Sequence, residues 1–393
     1  MSKIYFFILF LLLSFQNIQS QGLQLSIYSE ISIVTVGPGD ALFEAFGHSA
    51  IRIKDPVLRM DIVYNYGMFN YNQPNFYVNF TKGKLLYRLG KGQFQNFVLN
   101  NNYQQRWMKS QVLNLSQQEK QQMYGLLEVN AMPKNAEYLY DPYFNNCATK
   151  LRDITKEVLG DNLQFPTSYS EENYTLRQLM NKELPWNTWG SFGINLALGN
   201  KLDKEITAED YMYLPDYVYI AFENATKTEN GKSVSLIKNE SIILNFKEKE
   251  IKLNWYNPFI IFSLLLLVTI VITYRDQKRN KRSKWLDFSL FIVSGLLGLL
   301  ICFLWFLTDH YTAPNNFNFL WAFVPNLFVA FILLKNQLPK WISKYNKLCM
   351  LLLLIAPVVW LFSIQQFSFA ILPILGMLFL RNYYLNSLLT SKK

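Results

Sequence analysis

The chain has 393 residues, 38 Lys or Arg against 28 Asp or Glu, a formal charge of +10, and 51% hydrophobic and 16% aromatic residues. This charge is no sign of a nucleic-acid ligand: residues 21–257 carry 24 basic and 25 acidic side chains, and the excess lies in the apolar C-terminal third. Residues 21–257 hold one cysteine and one histidine, too few ligands for a zinc site there.

The elements follow in chain order. Residues 1–20 read as a secretory signal, with Lys3 at its start, an apolar stretch Ile4–Leu13 and small Ser20 before Gln21. Residues 21–225 form one aromatic-rich globular domain, long enough for a core of its own. Within it, Ser26–Val36 alternates as a strand does, and Gly37-Pro38-Gly39-Asp40 is a turn. Ser49–Ile53 and Ile62–Tyr66 read as two strands joined by a turn around Asp55-Pro56. Ser116 caps a helix running through Leu126 and Leu127. Asn145 or Asn146 caps another, which carries Cys147, Leu151, Ile154 and Val158 on one face. Strands first and the cysteine helix later predict an α+β domain.

Residues 226–257 alternate polar and apolar, as two or three short strands would, and form a β-rich connector. From 258 to 393 the chain is a membrane domain with five apolar segments, near 258–274, 286–307, 319–334, 348–362 and 367–380. Its 13 Lys or Arg fall as six in Arg275–Lys284, four in Lys335–Lys347 and three in Arg381–Lys393, on one side of the spans only. The positive-inside rule makes that side cytoplasmic, so residues 21–257 are exported and the C-terminus is inside.

Outside the membrane domain there is one histidine, His48 in Phe46-Gly47-His48-Ser49-Ala50, and one cysteine, Cys147 in Asn145-Asn146-Cys147-Ala148-Thr149. A lone exported thiol is at risk of oxidation, which favours a chemical role over an inert buried one. At a helix start, unpaired N–H groups and the dipole favour the thiolate, and the same N–H groups can receive an oxyanion. Asn145 or Asn146 could add a side-chain donor. His48 is the only available base. If the hairpin turn is centred near Val57 and Leu58, Ala50 pairs with Asn65, and His48 and Asn65 become diagonal neighbours on one face. Asn65 is then preferred to Asp61 as the group orienting His48, although a one-residue slip would reverse this. Arg52 shares a face with His48, either in a structural ion pair or as a headgroup clamp. Thr308-Asp309-His310 lies in an outer loop of the membrane domain. It is an interfacial turn, a lipid-headgroup contact or a docking surface. The chain has no P-loop, dinucleotide fingerprint or serine nucleophile elbow.

His first, then Asn-Cys at a helix start, resembles the circularly permuted papain-like enzymes, including the lecithin:retinol acyltransferase-like proteins. The whole chain more closely resembles the Lnb-type bacterial lipoprotein N-acyltransferases. The resemblance rests on Phe46–Ala50, Tyr64-Asn65-Tyr66-Gly67, Asn146–Thr149, Pro185-Trp186, Phe192–Gly199 and Thr308-Asp309-His310. It implies a permuted papain-like periplasmic catalytic domain followed by an all-α five-helix domain in the bacterial inner membrane. It also implies a Cys147–His48 pair, a phospholipid acyl donor, a lipoprotein acceptor, and no metal or soluble cofactor. Ala148 departs from the family, which tends to have Thr directly after the cysteine; Thr149 is the neighbouring hydroxyl. Two other classes stay open: a periplasmic cysteine hydrolase (phospholipase, or cell-wall amidase or peptidase), and a non-catalytic membrane receptor or assembly factor.

Overall fold

A computed structural model describes residues 22–70, 72, 74–168, 173–248 and 254–390. The signal segment expected at 1–20 lies outside the described residues.

The exported part is built on an antiparallel sheet of seven strands. They are β1 (Glu30–Val36), β2 (His48–Asp55), β3 (Met60–Met68), β4 (Leu86–Gln93), β5 (Met108–Leu113), β6 (Glu137–Leu139) and β10 (Ile237–Leu244), in the order β10-β5-β1-β2-β3-β4-β6. A small sheet holds β7 (Leu163–Gln164), β8 (Thr226–Glu229) and β9 (Lys232–Ser235). The exported helices are α1 (Phe76–Thr81), α2 (Phe94–Tyr103), α3 (Gln117–Ala131), α4 (Cys147–Leu159), α5 (Leu176–Glu183), α6 (Trp189–Ala197), α7 (Ala208–Tyr211) and α8 (Pro215–Glu223). The domain is therefore α+β, as expected.

The predicted strand from Ser26 begins at Glu30, and six of its seven residues are buried. It is central, so both its faces are covered. Ile31 and Ile33 join Ile51, Ile53, Leu151, Ile154 and Phe222 in one core. Val34 and Val36 join Ala50, Val63, Phe94 and Met108 in another. Such a strand need not alternate polar and apolar residues in sequence. Within the expected β-rich connector, the described residues 226–244 form the short strands β8, β9 and β10, and β10 pairs with β5 at one edge of the large sheet.

In the C-terminal region, α9 (Pro258–Arg279), α10 (Lys284–Phe306) and α12 (Trp341–Leu361) are long and apolar enough to cross a membrane. The predicted segment 319–334 resolves into a 3₁₀ turn, Phe317–Leu320, and the short helix α11 (Asn326–Leu333). Buried Asn316 and Asn318 direct their amides to the Leu196 and Asn195 carbonyls, which holds this stretch against α6. The last apolar segment becomes α13 (Ile371–Thr390). Its fully buried Arg381 bonds Asp287 at 2.8 Å, Thr273 at 2.9 Å and Asp276 at 3.0 Å, joining α9, α10 and α13 at one end.

The two parts meet along α6. Phe192 and Leu196 sit in the same core as Ile301, Trp321 and Leu353 of the membrane region. Trp189 Nε1 donates to the Tyr256 carbonyl at 2.8 Å, and Gly199 N–H donates to the Thr312 carbonyl at 2.9 Å. The motif Phe192–Gly199 thus forms the joint between the sheet domain and the membrane helices.

Candidate active site

The hairpin of β2 and β3 pairs Ile51 with Tyr64, Arg52 with Val63 and Ile53 with Ile62. This is the register in which Ala50 would face Asn65, so His48 and Asn65 lie at one end of the sheet as expected. Asp55 fixes the turn: its Oδ1 accepts the N–H groups of Val57 at 3.0 Å and Leu58 at 3.1 Å. Gly47 has φ +71°, and a Cβ there would sit 2.8 Å from the Val36 carbonyl oxygen, so a glycine is needed for the chain to enter β2 at His48.

Helix α4 packs its start against this end of the sheet. Leu151, Ile154 and Val158 anchor its inner face. Gly67 is required here by its backbone, not by the space beside it. It has φ +88° at a break in the β3–β4 register, and a Cβ there would lie 3.8 Å from Cys147 Cβ and 3.7 Å from Tyr140.

His48, Asn65 and Cys147 come together at this point. His48 Nε2 lies 2.6 Å from Asn65 Oδ1. The other ring nitrogen, Nδ1, is thereby left free on a ring close enough to Cys147 for the two side chains to shift each other's protonation. Burial alone would push the Cys147 thiol up, but the facing His48, its hydrogen bond and the N–H groups of Ser49 and Ala148 hold it below its usual value. Burial alone would lower His48, but Cys147 and the Asn65 bond raise it above the ordinary histidine value. The two shifts favour a thiolate–imidazolium pair.

The other predicted residues sit elsewhere. Asn146 is the helix cap: its Oδ1 accepts Ala148 and Thr149 N–H at 2.9 Å each. Its Nδ2 donates to the Pro142 carbonyl at 2.7 Å and the Tyr213 carbonyl at 2.8 Å. Both amide protons are spent, so Asn146 shapes the helix start and has no donor left for an oxyanion. Asn145 gives its amide to the Leu139 carbonyl at 2.6 Å. Thr149 Oγ1 accepts the Asn146 N–H at 2.8 Å, completing the cap. Arg52 forms a two-pronged pair with Asp61, both bonds 2.7 Å, beneath the Phe94 ring. This is the structural ion pair, and it also removes Asp61 from contention as the partner of His48.

His310 lies in an outer loop that docks on the exported domain. Asp309 N–H donates to the Lys82 carbonyl at 2.8 Å, and a Cβ on Gly83 would meet the His310 backbone N at 2.7 Å. Next to it, Tyr311 sets its ring edge-on to Phe144, three residues before Cys147, with centroids 5.3 Å apart. The docking reading of this loop is the one the contacts support.

One group near the pair had no sequence signal. Arg106 is 7% exposed, donates Nε to the Gly37 carbonyl at 2.8 Å, and adds a positive charge that works against protonation of His48. It follows Gln105, which has φ +56°, and precedes β5. Only strand order brings it near: Met108 and His48 both pair with Val36.

A cysteine, a histidine and an asparagine lie together at the end of an antiparallel sheet, on a domain packed against helices long and apolar enough to cross a membrane. Family comparison agrees: residues 20–182 match the Lnb N-terminal periplasmic domain and residues 248–393 match the Lnb transmembrane domain. The chain belongs to the Lnb family. No curated protein and no solved structure matches it.

Proposed function

We propose that this chain is a lipoprotein N-acyltransferase that moves a fatty acyl chain from a phospholipid, through a thioester on Cys147, to the α-amine of a diacylglyceryl-cysteine lipoprotein. The observation that carries the reading is the placing of His48, bonded to Asn65, beside Cys147 at the start of α4. Membership of the Lnb family supports it.

In the first half-reaction, the Cys147 thiolate attacks an acyl ester carbonyl. The Cys147 backbone N–H, in the first turn of α4 and without an intrahelical acceptor, is a donor for the oxyanion. The ester C–O bond breaks, and the departing lysophospholipid oxygen takes the His48 proton. In the second, the lipoprotein amine attacks the thioester carbonyl. His48 takes the amine proton, the C–S bond breaks, and the thiolate and an amide remain. Asn65 keeps His48 turned toward the sulfur throughout. Both substrates are lipid-anchored, so holding the site at the membrane raises their effective concentration. The same proposal places five passes in the inner membrane, residues 21–257 in the periplasm and the C-terminus in the cytoplasm, as the basic loops require.

The test is mass spectrometry of a lipoprotein's N-terminal lipopeptide from cells lacking their own N-acyltransferase and carrying either this chain or its Cys147→Ser form. An added acyl group with the native chain alone supports the reaction and the nucleophile. Lysophospholipid release without N-acyl product would instead identify a hydrolase.

A further inference from the structure

Helix α1 is short, carries no charge, and reads Phe76-Tyr77-Val78-Asn79-Phe80-Thr81. None of its residues is buried. Tyr77 is 71% exposed, Val78 50% and Phe80 49%. Three large apolar side chains on one and a half turns, facing away from both cores, are unusual for a surface in contact with water. Lys82 and Lys84 follow directly.

The position of α1 explains the exposure. Its C-terminal turn is bound to the outer loop of the membrane region. Lys82 accepts the Asp309 N–H at 2.8 Å, Gly83 abuts His310, and Lys84 Nζ lies 3.8 Å from Asp309. Asp309 is only three residues beyond Phe306, the last residue of membrane helix α10. The apolar face of α1 therefore begins where that helix ends. Aromatic residues beside lysines are the composition of segments that lie at a bilayer interface, with the rings in the acyl region and the ammonium groups at the headgroups.

A line of ring contacts runs from α1 to the thiol. Phe76 stacks on Phe69 at 6.1 Å, Phe69 on Tyr87 at 4.9 Å, and Tyr87 on Tyr140 at 4.3 Å. Tyr140 and Cys147 flank the same face of Gly67.

We infer that α1 is an interfacial helix that dips into the periplasmic leaflet, and that the ring line from Phe76 to Tyr140 guides a phospholipid acyl ester from that leaflet to Cys147. The occupant of the exposed face is the acyl region of the bilayer. The guiding role rests on the proposed use of a phospholipid donor; the insertion of α1 does not.

The test uses the full chain in phosphatidylcholine vesicles. Val78→Cys is placed in a background with Cys147, Cys302 and Cys349 replaced by Ala, and labelled with an environment-sensitive nitrobenzoxadiazole dye. Tyr103→Cys, at a position 88% exposed on α2, serves as the aqueous reference. The expected result is a blue-shifted emission at position 78, quenched by spin-labelled phosphatidylcholine and shielded from iodide, with the reverse at 103. Iodide quenching at 78 equal to that at 103, with no effect of the lipid quencher, would overturn the insertion. In chains with native cysteines, and with a diacylglyceryl-cysteine peptide as the acyl acceptor in both assays, Phe80→Glu should raise the apparent KM for vesicle phospholipid about 10-fold, read as lysophospholipid release. It should leave turnover of a soluble short-chain ester unchanged. Equal losses on both substrates would overturn the guiding role while leaving the N-acyl assay independent.

Discussion

His48 Nε2 and Asn65 Oδ1 are 2.6 Å apart across the β2–β3 hairpin, which assigns one ring nitrogen to the asparagine and leaves the other for Cys147. A neutral ring bonded this way carries its proton on Nε2, and Nδ1 is free to accept the thiol proton. Replacing Asn65 with Ala should lower kcat by about 10- to 100-fold, a part of the ~10²–10⁴ that general acid–base catalysis supplies. KM for the donor should change little. Asn65→Gln, whose longer amide meets Nε2 off line, should recover only part of the rate. An unchanged kcat in the Ala variant would remove Asn65 from the site.

The opposite shifts of Cys147 and His48 predict a bell-shaped pH dependence. Cys147 is held low, so activity rises as pH climbs through the thiol value; His48 is held high, so activity falls when pH climbs past the imidazolium value. Alkylation of Cys147 by iodoacetamide should therefore be fast at about pH 6–7, below the ordinary thiol range. In a His48→Ala variant it should be slow there and recover only at higher pH. In a Cys147→Ser variant, the His48 titration followed by NMR should move down, because burial then acts without the opposing thiolate. Identical alkylation profiles for native and His48→Ala chains would contradict the pair.

The joint between the sheet domain and the membrane helices depends on close backbone approach at Gly199. A Cβ there would run into the Pro314 carbonyl and lie 2.8 Å from the Ala313 oxygen, neither of which is a flexible side-chain end. Gly199→Val should loosen the outer loop from the exported domain while α4 and its sheet stay folded. We expect faster limited proteolysis between residues 199 and 318, reduced transfer to lipid-borne substrates, and Cys147 alkylation that still proceeds. Unaltered proteolysis would show that the joint tolerates the side chain.

Arg381 is fully buried between Asp276 and Asp287, with a bond to Thr273. Arg381→Met removes one charge and leaves two carboxylates without it, which costs about 3–5 kcal/mol for a broken buried pair. The thermal midpoint in detergent should fall sharply. Adding Asp287→Leu should restore only part of it, because it removes one carboxylate that has lost Arg381 but also takes the partner of Arg282, 3.6 Å away. A midpoint unchanged by Arg381→Met would mean that the network contributes little.

Much of the local plan was legible in the sequence. Ser116 and Asn146 both cap helices, because a short polar side chain before an apolar period satisfies the first free N–H groups wherever it occurs. The hairpin register expected for a turn centred near Val57 and Leu58 is the one observed, with Ile51, Ile53, Ile62 and Tyr64 inside, but the sequence left a one-residue slip open and core packing selects between the two. His48, Asn65 and Cys147 were nameable because a solitary histidine and a solitary cysteine leave few combinations. The membrane region declared itself by long apolar runs and by the side on which its lysines and arginines fall.

Other features were decided only by the tertiary structure. Asn146 was expected to offer a donor near the sulfur, but whether an amide is free depends on carbonyls distant in sequence, such as that of Tyr213. Residues 237–244 read as a strand from their alternation, but that this strand pairs with β5 is visible only in the fold, since strand pairing is a non-local choice. The third apolar segment is broken into a turn and the short helix α11, where Asn316 and Asn318 bond α6. Arg106 reaches the site through the order of β2, β1 and β5. Local pattern encodes caps, turns and faces because neighbours along the chain determine them. It does not encode which distant carbonyl, strand or ring a group will meet, because packing of the whole chain selects that partner.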